Sequence, residues 1–206
     1  MEIATLLSLI VLGCFIWRWA CHWFNIPWPS WMAWWLENPY MLIFCHPKDL
    51  LARLRLEPNM KVLEVGCGAG RVTIPVAQAV PQGSVLGVDL QAGMIRQLER
   101  RTKRMSLPNL SWHQRDVIRD GLPSGPFDRI VVVTVLGEIP AYTKVLQDAF
   151  DQLRPGGMVS ITEVLPDPCY IPSKRLRHEC ESLGFQHLET IHNLVSYTLN
   201  LEKPRS

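Results

Sequence analysis

Val62-Leu-Glu-Val-Gly-Cys-Gly-Ala-Gly70 decides how the rest of the chain is read. A short apolar run breaks into alternating glycines and is followed by a helical pattern, which reads as strand, tight turn, helix. Glycines at 66, 68 and 70 remove side chains where the backbone must turn sharply and where a ligand needs close approach. The helix that follows offers unpaired N–H groups at its start. The same geometry underlies the dinucleotide fingerprint G-x-G-x-x-G, but here the third glycine comes one residue early and Glu64 lies inside the strand.

The chain then alternates. Ser84-Val-Leu-Gly-Val-Asp-Leu90 is a second strand ending in an acid, where a ribose hydroxyl needs an acceptor. Leu110-Ser-Trp-His-Gln-Arg-Asp116 is a third, also ending in an acid; Phe127-Asp-Arg-Ile-Val-Val-Val-Thr134 is a fourth; Leu153-Arg-Pro-Gly-Gly-Met-Val-Ser-Ile-Thr162 is a helix end, a turn and a fifth. Val72, Ile74, Val76, Ala77 and Val80 mark a helix that Pro81-Gln-Gly83 ends, and residues 93–105 mark another. Near the C-terminus, 185–192 and 196–202 read as two strands joined around Asn193, and so short a link requires antiparallel pairing. Strands alternating with helices imply a mostly parallel sheet covered on both faces, with ligands at the carboxyl ends of its strands.

This series resembles the class I S-adenosylmethionine-dependent methyltransferases, over roughly residues 46 to 206 and through five motifs in the family's order. Val135-Leu-Gly-Glu-Ile-Pro140 and Glu163-Val-Leu-Pro-Asp-Pro168 extend it toward the branch of quinone-precursor and phospholipid methyltransferases. The resemblance implies a Rossmann-like α/β fold with a seven-stranded, mostly parallel sheet and a C-terminal antiparallel strand. It implies S-adenosylmethionine as cofactor, with Glu64, Gly66, Gly68 and Gly70 about its methionine part and Asp89 accepting from the ribose hydroxyls. It further implies that Leu90 lies against adenine, that Asp116 and the Val117 backbone read the adenine amino edge, and that Thr134 belongs to the same site. A carboxylate at a strand end also suits a helix cap, which leaves a second role open for Asp116.

Methyl transfer from a sulfonium needs alignment and exclusion of water more than acid or base chemistry. An amine or phenol acceptor must still lose a proton, so a carboxylate near the methyl group is useful. Glu138 and Glu163, just past the fourth strand and at the end of the fifth, are the candidates for catalytic residues, with His46 and Tyr170 behind them. The alternatives are that Glu138 caps the helix beginning near Pro140 and that Glu163 is a solvated loop residue. Thr134-Val-Leu-Gly137 stands where DNA and glutamine methyltransferases carry Asn/Asp-Pro-Pro-Tyr/Phe, which argues against those acceptors.

Composition narrows the classes. A formal charge of +2 with 19% charged residues gives no bulk electrostatic case for nucleic acid. Cysteines at 14, 21, 45, 67, 169 and 180 form no C-x-x-C pair and no disulfide framework, and no metal site is expected. A thiol or arsenical methyltransferase remains a possible reading if Cys45, Cys169 and Cys180 meet. So does a non-catalytic S-adenosylmethionine-binding module, or an NAD-linked enzyme. Arg96, Arg100, Lys103 and Arg104 form a basic stripe that reads as a solvated helix face or as a contact for anionic headgroups.

The N-terminal stretch points elsewhere. Ile3 to Trp17 carries no charge, and a helix to Phe24 would be ~33 Å long, about the hydrocarbon thickness of a bilayer. Seven of the eight tryptophans fall between 17 and 35, and Trp28, Trp31 and Trp35 share one helical face suited to an interface. The expected organisation is a membrane-anchor helix over 1–24, a Trp-rich interfacial segment and lid over 25–45, and the methyltransferase domain over 46–206. The expected location is a membrane, by a single-pass or interfacial anchor, with the catalytic domain on the cytoplasmic side where the cofactor is supplied. The expected acceptor is a small hydrophobic molecule, a lipid amine headgroup or a prenylated quinone precursor.

Overall fold

The computed structural model describes residues 45–165, 167 and 169–205. Helix α1 (Pro47–Arg53) leads into strand β1 (Lys61–Val65), the glycine turn and helix α2 (Thr73–Ala79). Strand β2 (Ser84–Asp89), helix α3 (Ala92–Thr102), strand β3 (Leu110–Gln114) and the single-turn helix α4 (Val117–Asp120) complete the first half. Strand β4 (Phe127–Val133), a 3₁₀ turn (Leu136–Glu138), helix α5 (Tyr142–Gln152), strand β5 (Leu153–Val164), helix α6 (Ser173–Ser182) and strands β6 (Gln186–His192) and β7 (Ser196–Glu202) follow.

One seven-stranded sheet has the order β3-β2-β1-β4-β5-β7-β6. β1 to β5 pair in parallel, β7 runs antiparallel to β5, and β6 antiparallel to β7. The reversed strand therefore lies inside the C-terminal half of the sheet rather than at its edge. Asn193 makes the tight link that reverses it: its N–H donates to Ser196 O at 2.9 Å, and its Oδ1 accepts from Ser196 N at 2.7 Å.

Alternation along the strands sends successive side chains into two cores. Leu63 and Val65 of β1, Ile130 and Val132 of β4, and Val159 and Ile161 of β5 join Val145 and Leu146 of α5 and Leu176 of α6. On the opposite face Val62, Val85, Val131 and Val133 meet Leu50 of α1, Ile74 and Val76 of α2, and Leu98 of α3. The second face turns polar toward β5 and β7, where Ser160, Thr162, Thr198 and Asn200 are buried. α1 satisfies part of that surface. Arg53 Nη1 donates to Thr198 Oγ1 at 2.7 Å, Asn200 Nδ2 donates to Arg53 O at 2.9 Å, and the Thr162 and Thr198 hydroxyls pair at 2.8 Å.

Two details differ from the sequence reading. The Arg154-Pro-Gly-Gly157 turn is absorbed into β5 as a register shift, because Phe127 pairs with Leu153 while Arg129 pairs with Met158. β3 stops at Gln114, two residues before Asp116, which is released to cap α4.

The membrane location expected from the N-terminal stretch is corrected. Among the described residues no helix is long and apolar enough to cross a membrane. Helices α3 and α5, at 11 residues each, are ~16 Å long against a hydrocarbon core of ~30 Å. The anchor helix assigned to 1–24, and all of the Trp-rich segment 25–45 except Cys45, lie outside the described residues.

Candidate functional site

At the end of β1 the chain folds across its neighbour: the N–H groups of Gly66 and Cys67 both donate to Val88 O, at 2.8 and 3.0 Å. Gly66, Gly68 and Gly70 all take positive φ, at 73°, 52° and 86°, a region costly for residues with a Cβ. Their surroundings divide them. A Cβ on Gly66 would lie 2.4 Å from Val135 Cγ2, and one on Gly70 2.4 Å from Leu98 Cδ1. A Cβ on Gly68 would meet nothing within 4 Å. Packing demands glycine at 66 and 70, whereas Gly68 borders open space that a ligand can enter.

Asp89, at the carboxyl end of β2, is locked beside that opening. Its Oδ2 accepts the Gly68 N–H at 2.9 Å and its Oδ1 accepts the Gln91 N–H at 2.8 Å. Burial raises its pKa, and the two backbone donors oppose the rise. Each oxygen keeps a lone pair for a further donor, the arrangement that two vicinal hydroxyls require. Leu90, next in the chain, is 51% exposed, an apolar surface beside the carboxylate. Asp116 caps α4, its Oδ1 accepting from Ile118 N at 3.0 Å and Arg119 N at 3.2 Å. The cap leaves Oδ2 unused, and Val117 is the first residue of α4. Thr134 leaves β4 with φ 53°, and its N–H donates to Thr162 O at 2.8 Å. A threonine held in the left-handed region at a strand end is the kind of strain that marks functional sites.

Glu64 is buried in β1, and its Oε2 has no hydrogen-bond partner among the described residues. Burial pushes its pKa up to about 8, the Thr73 hydroxyl and the Arg71 guanidinium pull it down, and Asp89 adds to the rise. Arg71 also donates from Nη1 to Cys45 O at 2.7 Å, tying the chain before α1 to the end of the glycine turn. The sequence reading passed over Arg71, although its place directly after Gly70 was the available signal.

The carboxyl ends of β4 and β5 hold the remaining candidates. Glu163 is 1% exposed in β5, so the solvated-loop alternative does not describe it. Its Oε1 has no partner among the described residues. Burial raises its pKa well above the ordinary range; Asp167 and Glu138 raise it further, and the Ile171 backbone N–H opposes them. Glu138 lies in the 3₁₀ turn and is not the cap of α5, whose N-cap is Ala141 with no side-chain cap bond. A Cβ on Gly137 would fall 1.8 Å from Cys169 O, so the turn and the Cys169 backbone are in direct contact. Tyr170 packs edge-on against Tyr197, with centroids 5.7 Å apart. His46 instead caps α1, its Nδ1 accepting from Lys48 N at 3.0 Å. Asp167 was missed, because nothing in its local pattern shows that it faces Glu163.

Among the described residues Cys45 and Cys180 do not meet. Cys180 is buried in one core and Cys45 and Cys67 in the other. Among the described residues no cluster of three or more His, Cys, Asp or Glu is arranged to hold a metal ion.

Residues 62–157 match a family model described as a methyltransferase domain. A trans-aconitate 2-methyltransferase from Azoarcus sp. (strain BH72) is 36% identical over 132 residues, 64% of this chain and 49% of the relative. A demethylmenaquinone methyltransferase from Geobacillus sp. (strain WCH70) is 30% identical over 117 residues, 56% of this chain and 50% of the relative. The chain thus spans about half the length of the curated relatives it matches. A solved structure of a SAM-dependent methyltransferase from Aquifex aeolicus aligns with a TM-score of 0.77 and 18% identity, covering 85% of this chain and 98% of that one. At 18% identity this likeness is one of fold alone. The opening at Gly68, the orphaned Glu64 oxygen and the doubly held Asp89 carboxylate fit an adenosyl amino acid. Fold and family match agree that residues 62–157 resemble a methyltransferase domain set in a Rossmann-like α/β fold, and the site's residues fit the S-adenosylmethionine that such domains use.

Proposed function

We propose that the protein, through residues 46–206, moves the methyl group of S-adenosylmethionine to a small hydrophobic acceptor, a lipid amine headgroup or a prenylated quinone precursor. The observation that carries the acceptor half is the buried Glu163 with an unpartnered oxygen. It lies beside Tyr170, and Val135 and Ile139 are further partly buried apolar residues at that end of the sheet. A methyltransferase acting on demethylmenaquinone is among the relatives.

Bound S-adenosylmethionine supplies an activated methyl group. Glu64 and the glycine turn hold its methionine part, and Asp89 takes the ribose hydroxyls on the lone pairs that Gly68 and Gln91 leave. Leu90 covers one face of the adenine, Asp116 and Val117 read its amino edge, and Thr134 flanks the reacting end. Glu138 and Glu163 orient the acceptor, and Glu138 is the base for its proton.

The test is incubation of the purified full chain with methyl-labelled S-adenosylmethionine and an organic cell extract, followed by partition of the label. A discrete product in the organic phase supports the proposal, and its mass identifies the acceptor. Label confined to the aqueous phase contradicts a hydrophobic acceptor. Cofactor binding with no label transferred to either phase points to a binding module.

A further inference from the structure

The end of β3 braces both the 89–91 segment and α4. Gln114 lies opposite Asp89 in the parallel ladder, and the Arg115 N–H donates to Asp89 O at 2.8 Å. The Arg115 guanidinium holds the far end of α4, its Nε donating to Gly121 O at 2.7 Å and its Nη2 to Asp120 O at 2.6 Å. Gln114 Nε2 donates to Leu90 O at 3.1 Å. A carbonyl oxygen only accepts, so this bond sets which end of the Gln114 amide faces Leu90. β2 ends at Asp89, and a side chain, not a neighbouring strand, supplies Leu90 O with its donor. Leu90 is 51% exposed, so its side chain is placed by its backbone more than by packing.

Resting on the reading above that Leu90 covers one face of the adenine, we infer that Gln114 is a positioning residue for the base. Through its bond to Leu90 O it sets how closely the Leu90 side chain lies on the purine. Dispersion attraction is steep in distance, and a gap of about 0.5–1 Å forfeits a quarter to a half of it. Asp89 is restrained at its carboxylate and at its carbonyl by the N–H groups of Gly68, Gln91 and Arg115. Leu90, one residue further on, is restrained at its carbonyl by Gln114. Removing the Gln114 amide therefore loosens the contact with the base and leaves the ribose acceptor in place. The Gln114 to Leu90 bond is solvent-exposed, and water replaces it at little cost to the fold. Its contribution is to binding rather than to stability.

The experiment is calorimetric titration of the full chain with S-adenosylhomocysteine and with adenosine, on wild type, Gln114→Met, Leu90→Ala and the double variant. The Tm of each is measured without ligand. Methionine keeps the length of the side chain and removes the donor. The inference expects Gln114→Met to weaken both ligands by the same factor, about three- to tenfold, with Tm at the wild-type value. It expects the same substitution to cost at most about twofold once Leu90 is replaced by alanine, because Gln114 acts through that side chain. Unchanged affinity in Gln114→Met, a loss confined to S-adenosylhomocysteine, an undiminished loss in the Leu90→Ala background, or a Tm that falls in step with affinity would overturn it. Failure of the wild type to bind either ligand, or wild-type affinity in Leu90→Ala, would instead overturn the reading of the cofactor site on which it stands.

Discussion

Gly68 donates its backbone N–H to Asp89 Oδ2 at 2.9 Å, so the open turn after β1 and the acid ending β2 form one unit. The bond orients the carboxylate, and the carboxylate holds the turn in its left-handed conformation.

Asp89→Asn keeps the volume but turns an amide N–H₂ toward one of the two backbone N–H groups, Gly68 or Gln91, that each need an acceptor. Loss of one charged acceptor to a ribose costs about 1.5–3 kcal/mol, roughly ten- to a hundredfold in affinity. Calorimetric titration with S-adenosylhomocysteine is expected to show this weakening, and an unchanged Kd would remove Asp89 from the site.

Gly68→Ala and Gly70→Ala separate binding from folding. Both incur a left-handed penalty of about 1–2 kcal/mol. At Gly70 the added methyl also meets Leu98 Cδ1, and overpacking adds about 1–3 kcal/mol. Gly70→Ala is therefore expected to lower Tm more than Gly68→Ala, whereas Gly68→Ala weakens cofactor binding in protein that is still folded. Differential scanning calorimetry with and without S-adenosylhomocysteine reads both effects.

Glu64 links stability to pH. Its folded pKa is pushed up to about 8 from an ordinary 4.5, so between those values the folded state holds a proton that the unfolded state has lost. Its contribution is complete below pH 4.5, falls as pH rises, and is gone above pH 8. Denaturant titrations across that range are expected to show wild-type stability declining more than that of Glu64→Gln. Parallel declines would mean that Glu64 titrates normally.

Arg129 fastens α1 to the sheet, because Nε donates to Leu54 O at 2.8 Å and Nη2 to Arg55 O at 3.0 Å. Arg129→Ala strips those carbonyls of their donors and is expected to cost about 2–4 kcal/mol, with Tm falling by about 4–16 °C. Cofactor affinity, measured below that Tm, is expected to stay at the wild-type value.

The parts of the fold readable in the chain are those written in local pattern. Val62 to Val65, Val85 to Val88 and Ile130 to Val133 carry the runs of parallel strands buried on both faces, and Asn193 carries the hairpin. Glu163 shows the limit. Its burial comes from the pairing of β5 with β7, where Tyr197 lies opposite it, and from a loop whose Asp167 turns back toward it. Both partners are distant in sequence or free of local signature. Of the two roles open to Asp116 the structure shows the helix cap, with Oδ1 accepting from Ile118 N and Arg119 N. The N-terminal run was the most emphatic local signal, yet the membrane location drawn from it finds no spanning helix among the described residues.

Isothermal calorimetry of the purified full chain with S-adenosylmethionine, followed by mass detection of S-adenosylhomocysteine after acceptor is added, tests the central claim most directly. One cofactor per chain, binding that NAD does not match, and S-adenosylhomocysteine accumulating only with acceptor present are the predicted results. Tighter binding of NAD than of S-adenosylmethionine, or no binding of S-adenosylmethionine by folded protein, would contradict the account.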